Sequence, residues 1–230
     1  MKTKARKRAF SLLELLVVIT ILTILLIIGG SAATSIFTNT KRMECISKMR
    51  SIGVGIQQYA QDNSGQFPPS GHSAAAARKS PWHHAILPYM GFQEGVNFKE
   101  IANSALRCPC DTNTSPYIYS YALNVYFELK NGDDYEGAPA TWHRQVNVPH
   151  PTKTILLAET KPIYFGDHLM VHQWKKTSAA ENSLAGNRHG GPLNFLFVDG
   201  HVAPMEAKET FDTGKKINLW NPSLAGKIEP

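Results

Sequence analysis

Four side chains in the second half of the chain have the types that acid–base or metal chemistry requires. They are Glu159, His189, Asp199 and His201. Two imidazoles and two carboxylates would suit zinc or a calcium-like ion. However, nine residues separate His189 from Asp199, and the Asp199-Gly200 pair lies between two apolar runs, which is a hairpin signal. We therefore expect His189 to hydrogen-bond the turn backbone or the Asp199 carboxylate, and we favour this structural role over catalysis.

Three cysteines, Cys45, Cys108 and Cys110, supply sulfur. Disulfides are allowed if the soluble domain lies outside the cytoplasm, and a Cys108–Cys110 bridge would close a strained ring. We favour a Cys45–Cys108 disulfide, which would close a loop of about 60 residues and contribute on the order of 4 kcal/mol. Three free thiols are the alternative. Zinc is disfavoured, because the sulfur ligands are few and no spaced histidine pair accompanies them. The adjacent His83 and His84 would point in different directions on a short helix, so we do not expect them to bind a metal.

Glu14 is the one acidic residue within a long apolar run, residues 10–28. As a helix this run would span roughly 28 Å, close to the ~30 Å hydrocarbon core of a bilayer. The basic residues before it predict a cytoplasmic N-terminus. A carboxylate inside a membrane costs roughly 2.5–3.5 kcal/mol, so Glu14 either lies near the headgroups or needs a cation at its own depth. Cleavage before Phe10 would supply that cation as a new α-amino group.

The N-terminal string KRAFSLLELLVVIT, residues 7–20, resembles the type IV prepilin signal, which pilins share with the pseudopilins of type II secretion systems. The resemblance implies cleavage by a prepilin peptidase between Ala9 and Phe10, N-methylation of Phe10 and assembly through Glu14. Ala9 departs from the family pattern, which most often has Gly before the cut. Two other interpretations stay open: a secretory signal cut near residues 31–33, and an uncleaved signal anchor.

A second string, RHGGPLNFLFVDGHV at residues 188–202, resembles the H-X9-DG C-terminal domain of many prepilin-like proteins. Further landmarks of the same family are Cys45, Phe67-Pro68, Tyr89 and Cys108-Pro109. The resemblance implies an α+β, pilin-like fold in which a long N-terminal helix packs its soluble half on a small antiparallel β-sheet. His189, Asp199 and Gly200 are then structural residues, and we expect Asp199-Gly200 to form a type I′ turn.

The apolar periodicity predicts which elements hold these residues. Apolar residues recur at positions 45, 49, 52, 56 and 59, which form one helical face. The sequence of residues 62–65 predicts the end of this helix, with Gly65 as a left-handed cap. Residues 117–127 predict a strand, residues 154–159 a strand buried on both faces, and residues 194–198 and 201–205 the two strands of the hairpin.

These features divide the chain into four parts. They are a basic leader (1–9), a transmembrane and assembly helix (10–30), the soluble half of the long helix (31–64) and a globular pilin-like domain (65–230). The formal net charge is +6, and the leader contains five basic residues, so the chain from Phe10 onward carries +1. The basic balance therefore gives no reason to expect a nucleic-acid partner. The sequence contains no phosphate-cradling glycine loop and no zinc-finger spacing.

We therefore expect a structural pseudopilin- or pilin-like subunit that is not an enzyme and needs no cofactor or metal. It would assemble through its N-terminal helix into a type II secretion-like or pilus-like filament. Its expected partners are a prepilin peptidase/N-methyltransferase, other pilin-like subunits, an inner-membrane secretion platform and the membrane. Its expected location is the inner (cytoplasmic) membrane, single-pass, with the C-terminal domain periplasmic or otherwise extracytoplasmic. The alternative is a membrane-tethered extracytoplasmic binding domain or enzyme with a pilin-type anchor.

Overall fold

The computed structural model describes most of the chain in two compact units, residues 1–40 and residues 41–230. The described residues are 11–93, 95, 97–113, 115, 119–129, 142–161 and 166–227, without the side chains of residues 28–35. The predicted leader, Ala9 and Phe10 lie outside these residues. The second unit contains the sheet, the shorter helices and the polar cluster described below.

The first helix, α1, extends over Leu12–Asp62 and confirms the single long helix that the sequence predicts. Its end is also the predicted one. Gly65 has φ +80°, and its N–H donates to the carbonyl oxygen of Ala60 at 2.7 Å, which closes the helix with a left-handed cap. In the first unit, the side chains of residues 11–27 are exposed.

Among the helices of the described residues, none is both long enough and apolar enough to cross a membrane.

The part of α1 in the second unit packs on the core through the predicted face. Its Cys45, Met49, Ile52 and Ile56 side chains have 0% exposure, and Tyr59 is half-buried. This face forms one side of a buried apolar core, and residues of the sheet pack against it from the other side. The helical period of 3.6 residues is thus what brings Cys45 inside.

Shorter helices cover the remaining surface of the second unit. In the described residues they are α2 (Gly71–Ala77), α3 (Trp82–Ala85), α4 (Phe98–Ser104), α5 (Thr177–Ser183) and α6 (Ala207–Thr210). Short 3-10 turns occur at Pro88–Met90, Val125–Phe127, Gln145–Asn147 and Val171–Gln173.

A mixed sheet forms the centre of the second unit, in the order β3-β1-β2-β4-β5. Its strands are β1 (Tyr121–Asn124), β2 (Ile155–Glu159), β3 (His168–Leu169), β4 (Leu193–Phe197) and β5 (Val202–Met205). The α+β class is confirmed, but the prediction of a wholly antiparallel sheet is wrong, since β1 and β3 are parallel. The reason is that β2 and β3 run in opposite directions and flank β1, so only one of them can be antiparallel to it.

Both faces of β1, β2 and β4 are buried, as predicted for the strand at residues 154–159. One face packs against α1 through Tyr121, Leu157 and Leu196. The other packs against the C-terminal segment, whose Trp220 is fully buried beside Phe195. The C-terminal segment also forms a small two-stranded sheet, β6 (Phe211–Asp212) with β7 (Ile217–Asn218).

The predicted hairpin joins β4 to β5, but its turn differs from the predicted type. A type I′ turn needs positive φ at both central residues, whereas only Gly200 of the pair has it, at +93°. The Gly200 N–H instead donates to the carbonyl oxygen of Phe197 at 2.9 Å, and the left-handed Gly200 follows that turn. The Asp199 carboxylate accepts the His201 N–H at 3.1 Å and so holds the turn in this form.

Candidate functional site

A buried polar cluster lies where α1 meets the sheet. It consists of Cys45, Cys108, Glu159 and His189, all of them buried. Each side chain offers one sulfur, nitrogen or oxygen atom, and these atoms lie within 4.8 Å of one another. The cluster gathers four segments that are far apart in the sequence, so it exists only in the folded unit.

Each member comes from a different element. Cys45 lies on the buried face of α1, Cys108 follows α4, and Glu159 ends β2. His189 lies in the loop before β4. The neighbouring Arg188 anchors that loop, because its guanidinium donates to the carbonyl oxygens of residues 120 and 160 at 3.1 and 2.7 Å.

Hydrogen bonds connect the cluster around the Glu159 carboxylate. Oε1 lies 2.7 Å from His189 Nε2 and 3.1 Å from Cys45 Sγ. Oε2 accepts the backbone N–H of Asn194 at 2.7 Å. The Cys108 sulfur lies 3.5 Å from His189 Nε2, so the imidazole contacts both the carboxylate and a thiol.

These contacts shift the pKa of every member. Burial raises the pKa of Glu159, but hydrogen bonds from His189, Asn194 and Cys45 together with the His189 charge more than offset it, so the net shift is downward. Burial lowers the pKa of His189, and its contacts with Cys108 and Glu159 raise it to about 10. A hydrogen bond with Cys45 lowers the pKa of Cys108 to about 6, while that same contact and burial raise the pKa of Cys45.

The structure brings together only part of the predicted set. Glu159 and His189 meet, whereas Asp199 and His201 pair with each other, with His201 Nδ1 at 2.6 Å from Asp199 Oδ1. The predicted contact of His189 with Asp199 is therefore wrong. The reason is β4, which separates the two residues: His189 precedes the strand and Asp199 follows it, and a strand of five residues is about 17 Å long.

The cysteines also meet in part. The sulfurs of Cys45 and Cys108 lie within 4.8 Å of each other, and all three cysteines are free thiols in the structure. The Cys45–Cys108 disulfide therefore stays a prediction. The structure places its two cysteines side by side. Cys110 is half-buried and outside the cluster.

The sequence analysis did not predict that two cysteines share one cluster with Glu159 and His189. One signal for this cluster was present in the sequence. Glu159 ends a strand that reads as apolar and buried on both faces, and a carboxylate in such a place needs a partner. The partner's identity depends on strand order, which the sequence pattern does not contain.

The N-terminal region offers a second candidate site at the start of α1. Glu14 Oε2 accepts the Ser11 N–H at 2.9 Å, and Ser11 Oγ accepts the Leu13 N–H at 3.2 Å. The Glu14 contact is that of the glutamate in a capping box, while the Ser11 hydroxyl caps the N–H of the second helical residue, Leu13. A carboxylate has about four acceptor positions, so Glu14 keeps capacity for a further donor.

Comparisons with known proteins give two family matches. The model of a family described as "Protein of unknown function (DUF1559)" matches residues 39–167. The prokaryotic N-terminal methylation motif matches residues 4–30, which confirms the resemblance of this segment to a prepilin signal. Neither a curated protein nor a solved structure matches the chain.

Proposed function

The chain belongs to the DUF1559 family and carries an N-terminal methylation motif, and from these two facts we propose that it is a pilin-like structural subunit of a filament. In this proposal a prepilin peptidase cuts between Ala9 and Phe10 and methylates the new amine. The subunit then enters a type II secretion-like or pilus-like assembly on an inner-membrane platform. Its role is mechanical, not enzymatic.

The exposed apolar surface of residues 12–27 is the observation that carries the proposal. Large side chains there are exposed on every side of the helix, from Leu12 at 86% to Val18 at 45%. A helix that is apolar all round is typical of one buried in a membrane or among other helices. We propose that the inner membrane surrounds this segment before assembly and that neighbouring subunits surround it afterwards, with the folded domain on the extracytoplasmic side.

Glu14 supports a specific mode of assembly. Its carboxylate is exposed, and the Ser11 N–H occupies only part of its acceptor capacity. The processed chain would begin with the positive amine of Phe10. In a staggered packing of helices, Glu14 of one subunit would pair with the amine of the next, and both charges would be neutralised in an apolar environment.

Intact mass tests the processing step. The chain is purified from membranes of its native host and weighed. A chain that begins at N-methyl-Phe10 is the expected result. A chain that begins at Met1 would make the segment a signal anchor and would favour a tethered binding domain or enzyme. A chain that begins near residue 33 would mean ordinary secretion and would rule out the filament.

Substitution of Glu14 tests the assembly step. Glu14→Gln keeps an oxygen for the Ser11 N–H but removes the charge, so the helix cap survives while the pairing with an amine does not. We expect this variant to be processed and to disappear from the cross-linked ladder of neighbouring subunits. Glu44→Gln is the matched control, because Glu44 is an exposed carboxylate on the same helix. Equal ladders for both variants would contradict assembly through Glu14.

A further inference from the structure

We propose that Cys45, Cys108, Glu159 and His189 form a tetrahedral Zn²⁺ site that ties α1 to the sheet. The sequence disfavours zinc because it shows too few sulfur ligands and no spaced histidine pair. The fold supplies what the sequence spacing does not, since a carboxylate and an imidazole join two of the thiols. The site belongs to the folded second unit and does not depend on filament assembly.

The donor set selects the metal. Thiolate sulfur, imidazole nitrogen and carboxylate oxygen are all ligands of zinc, and four protein ligands complete a closed structural site. Calcium and magnesium take oxygen ligands, so two sulfurs disfavour them. All four residues are buried, which fits a site that holds elements together rather than one that exposes a metal-bound water.

The spacing of the ligand atoms is close to that of a zinc tetrahedron. Zinc bond lengths of ~2.0–2.3 Å place two ligand atoms of a tetrahedron roughly 3.3–3.8 Å apart. Cys108 Sγ and His189 Nε2 already lie at 3.5 Å. Glu159 Oε1 lies nearer to its neighbours, 3.1 Å from Cys45 Sγ and 2.7 Å from His189 Nε2. These two pairs must widen by about 0.4–0.6 Å, which follows when the metal replaces the protons that they share.

The surroundings fix the carboxylate and moderate the charge. Glu159 Oε2 accepts the Asn194 N–H at 2.7 Å, which leaves Oε1 directed into the cluster. Such outer contacts orient metal ligands and raise affinity. One zinc ion with two thiolates and one carboxylate carries a net charge of −1. Arg188, which also pairs with Asp111, lies 3.9 Å from Glu159 Oε1 and opposes that charge.

Two other states compete for the same residues. A Cys45–Cys108 disulfide would remove both sulfur ligands and leave only the pair of Glu159 and His189. A metal-free cluster would keep the hydrogen bonds described above and two free thiols. Thiol count and metal content together separate the three states.

The test uses the full chain, purified in detergent with a phosphine reductant. We expect one zinc per chain by elemental mass spectrometry, and a lower thermal midpoint after chelation. Titration of the metal-free chain with Co²⁺ should give the visible absorption of a tetrahedral ion and a sulfur-to-cobalt charge-transfer band. Cys45→Ser and Cys108→Ser should lose the zinc and the band. Cys110→Ser, which removes the one cysteine outside the cluster, should keep both.

Failure of the proposal is equally visible. The ligand variants can unfold, so the cobalt spectrum of the wild-type chain is decisive, with circular dichroism as the record of folding. A folded, reduced wild-type chain without stoichiometric zinc, or with cobalt but no charge-transfer band, would overturn the site. So would a chain isolated without reductant that is two hydrogens lighter, with Cys45 and Cys108 linked in its peptide map.

Discussion

Asp167 is a buried carboxylate that accepts hydrogen bonds near the first turn of α2, with α3 beside it. Its Oδ2 accepts the Gly71 N–H at 2.6 Å, and its Oδ1 lies 3.0 Å from His168 Nδ1. The His83 ring lies farther away, with Nε2 at 3.6 Å from Oδ2, and it stacks on Tyr119. His83 is therefore a buried side chain that is held mainly by aromatic packing.

His83 makes the folded state sensitive to acid. Burial lowers its pKa to about 4, against the opposing Asp167 charge and with a smaller lowering contribution from His84. An unfolded histidine has a pKa near 6.5, so between pH 6.5 and 4 the unfolded chain binds more protons and stability falls as pH falls. We expect a loss of up to about 3 kcal/mol over this window, which His83→Phe should remove.

Urea unfolding at pH 7 and pH 4.5 measures this effect. The exposed His72, changed to Gln, is the control and should keep the wild-type pH dependence. The raised pKa of His168, which its contact with Asp167 causes against the effect of burial, acts in the opposite direction and is present in both variants. An unchanged acid loss in His83→Phe would refute the assignment.

At the scale of elements, the β4–β5 hairpin depends on the conformation of Gly200. Its φ of +93° lies where residues with a Cβ are strained, and an added Cβ would lie 2.7 Å from Gln57 Nε2. Because Gln57 is flexible, the backbone strain dominates. We expect Gly200→Ala to lower the free energy of unfolding by roughly 1–2 kcal/mol.

Three comparisons check the prediction for Gly200. Gly200→Asn should destabilise less than Gly200→Ala despite its size, because Asn tolerates left-handed backbone better. Gly186→Ala, at a position with nothing within 4 Å of an added Cβ, should leave stability near wild type. Adding Gln57→Ala to Gly200→Ala should recover little. A full recovery would show that the side-chain contact, and not the backbone, is responsible.

The elements whose sequence signals are local were predicted well. The periodicity of α1 predicted its buried face, and the residues around Gly65 predicted its end. The apolar runs flanking Asp199-Gly200 predicted the hairpin, although the turn type depends on an Asp199 hydrogen bond that propensity does not specify. The fold class followed from the resemblance of the N-terminal and C-terminal strings.

Long-range arrangement was the part that the sequence did not predict. Strand β3 is two residues long and carries no periodicity, so its parallel pairing with β1 has no sequence signal. The cluster of Cys45, Cys108, Glu159 and His189 requires β2 and β4 to be neighbours. Spacing along the chain favoured Asp199 over Glu159 as the partner of His189, because Asp199 is closer to it in the sequence.

At the scale of the whole molecule, the proposed cut before Phe10 would change the formal charge of the chain from +6 to +1. Polyanion affinity arises mainly from the number of basic residues that meet phosphates or sulfates. We expect the precursor to elute from a heparin column at higher salt than the processed chain. The processed chain should elute at a salt concentration near physiological ionic strength. Equal retention of both forms would locate a basic binding surface in the folded domain and contradict the expectation of no nucleic-acid partner.

The burial of α1 against strands from the far end of the chain has a consequence for biogenesis. Ile56 emerges from the ribosome about 140 residues before Leu196, which belongs to the strand that covers the α1 face. At 5–20 residues per second this interval lasts on the order of ten seconds. During that time the apolar face of the nascent helix lacks the part of its cover that β4 supplies. Folding of the second unit therefore waits for nearly complete synthesis, and the uncovered face leaves the chain vulnerable to proteases until β4 arrives.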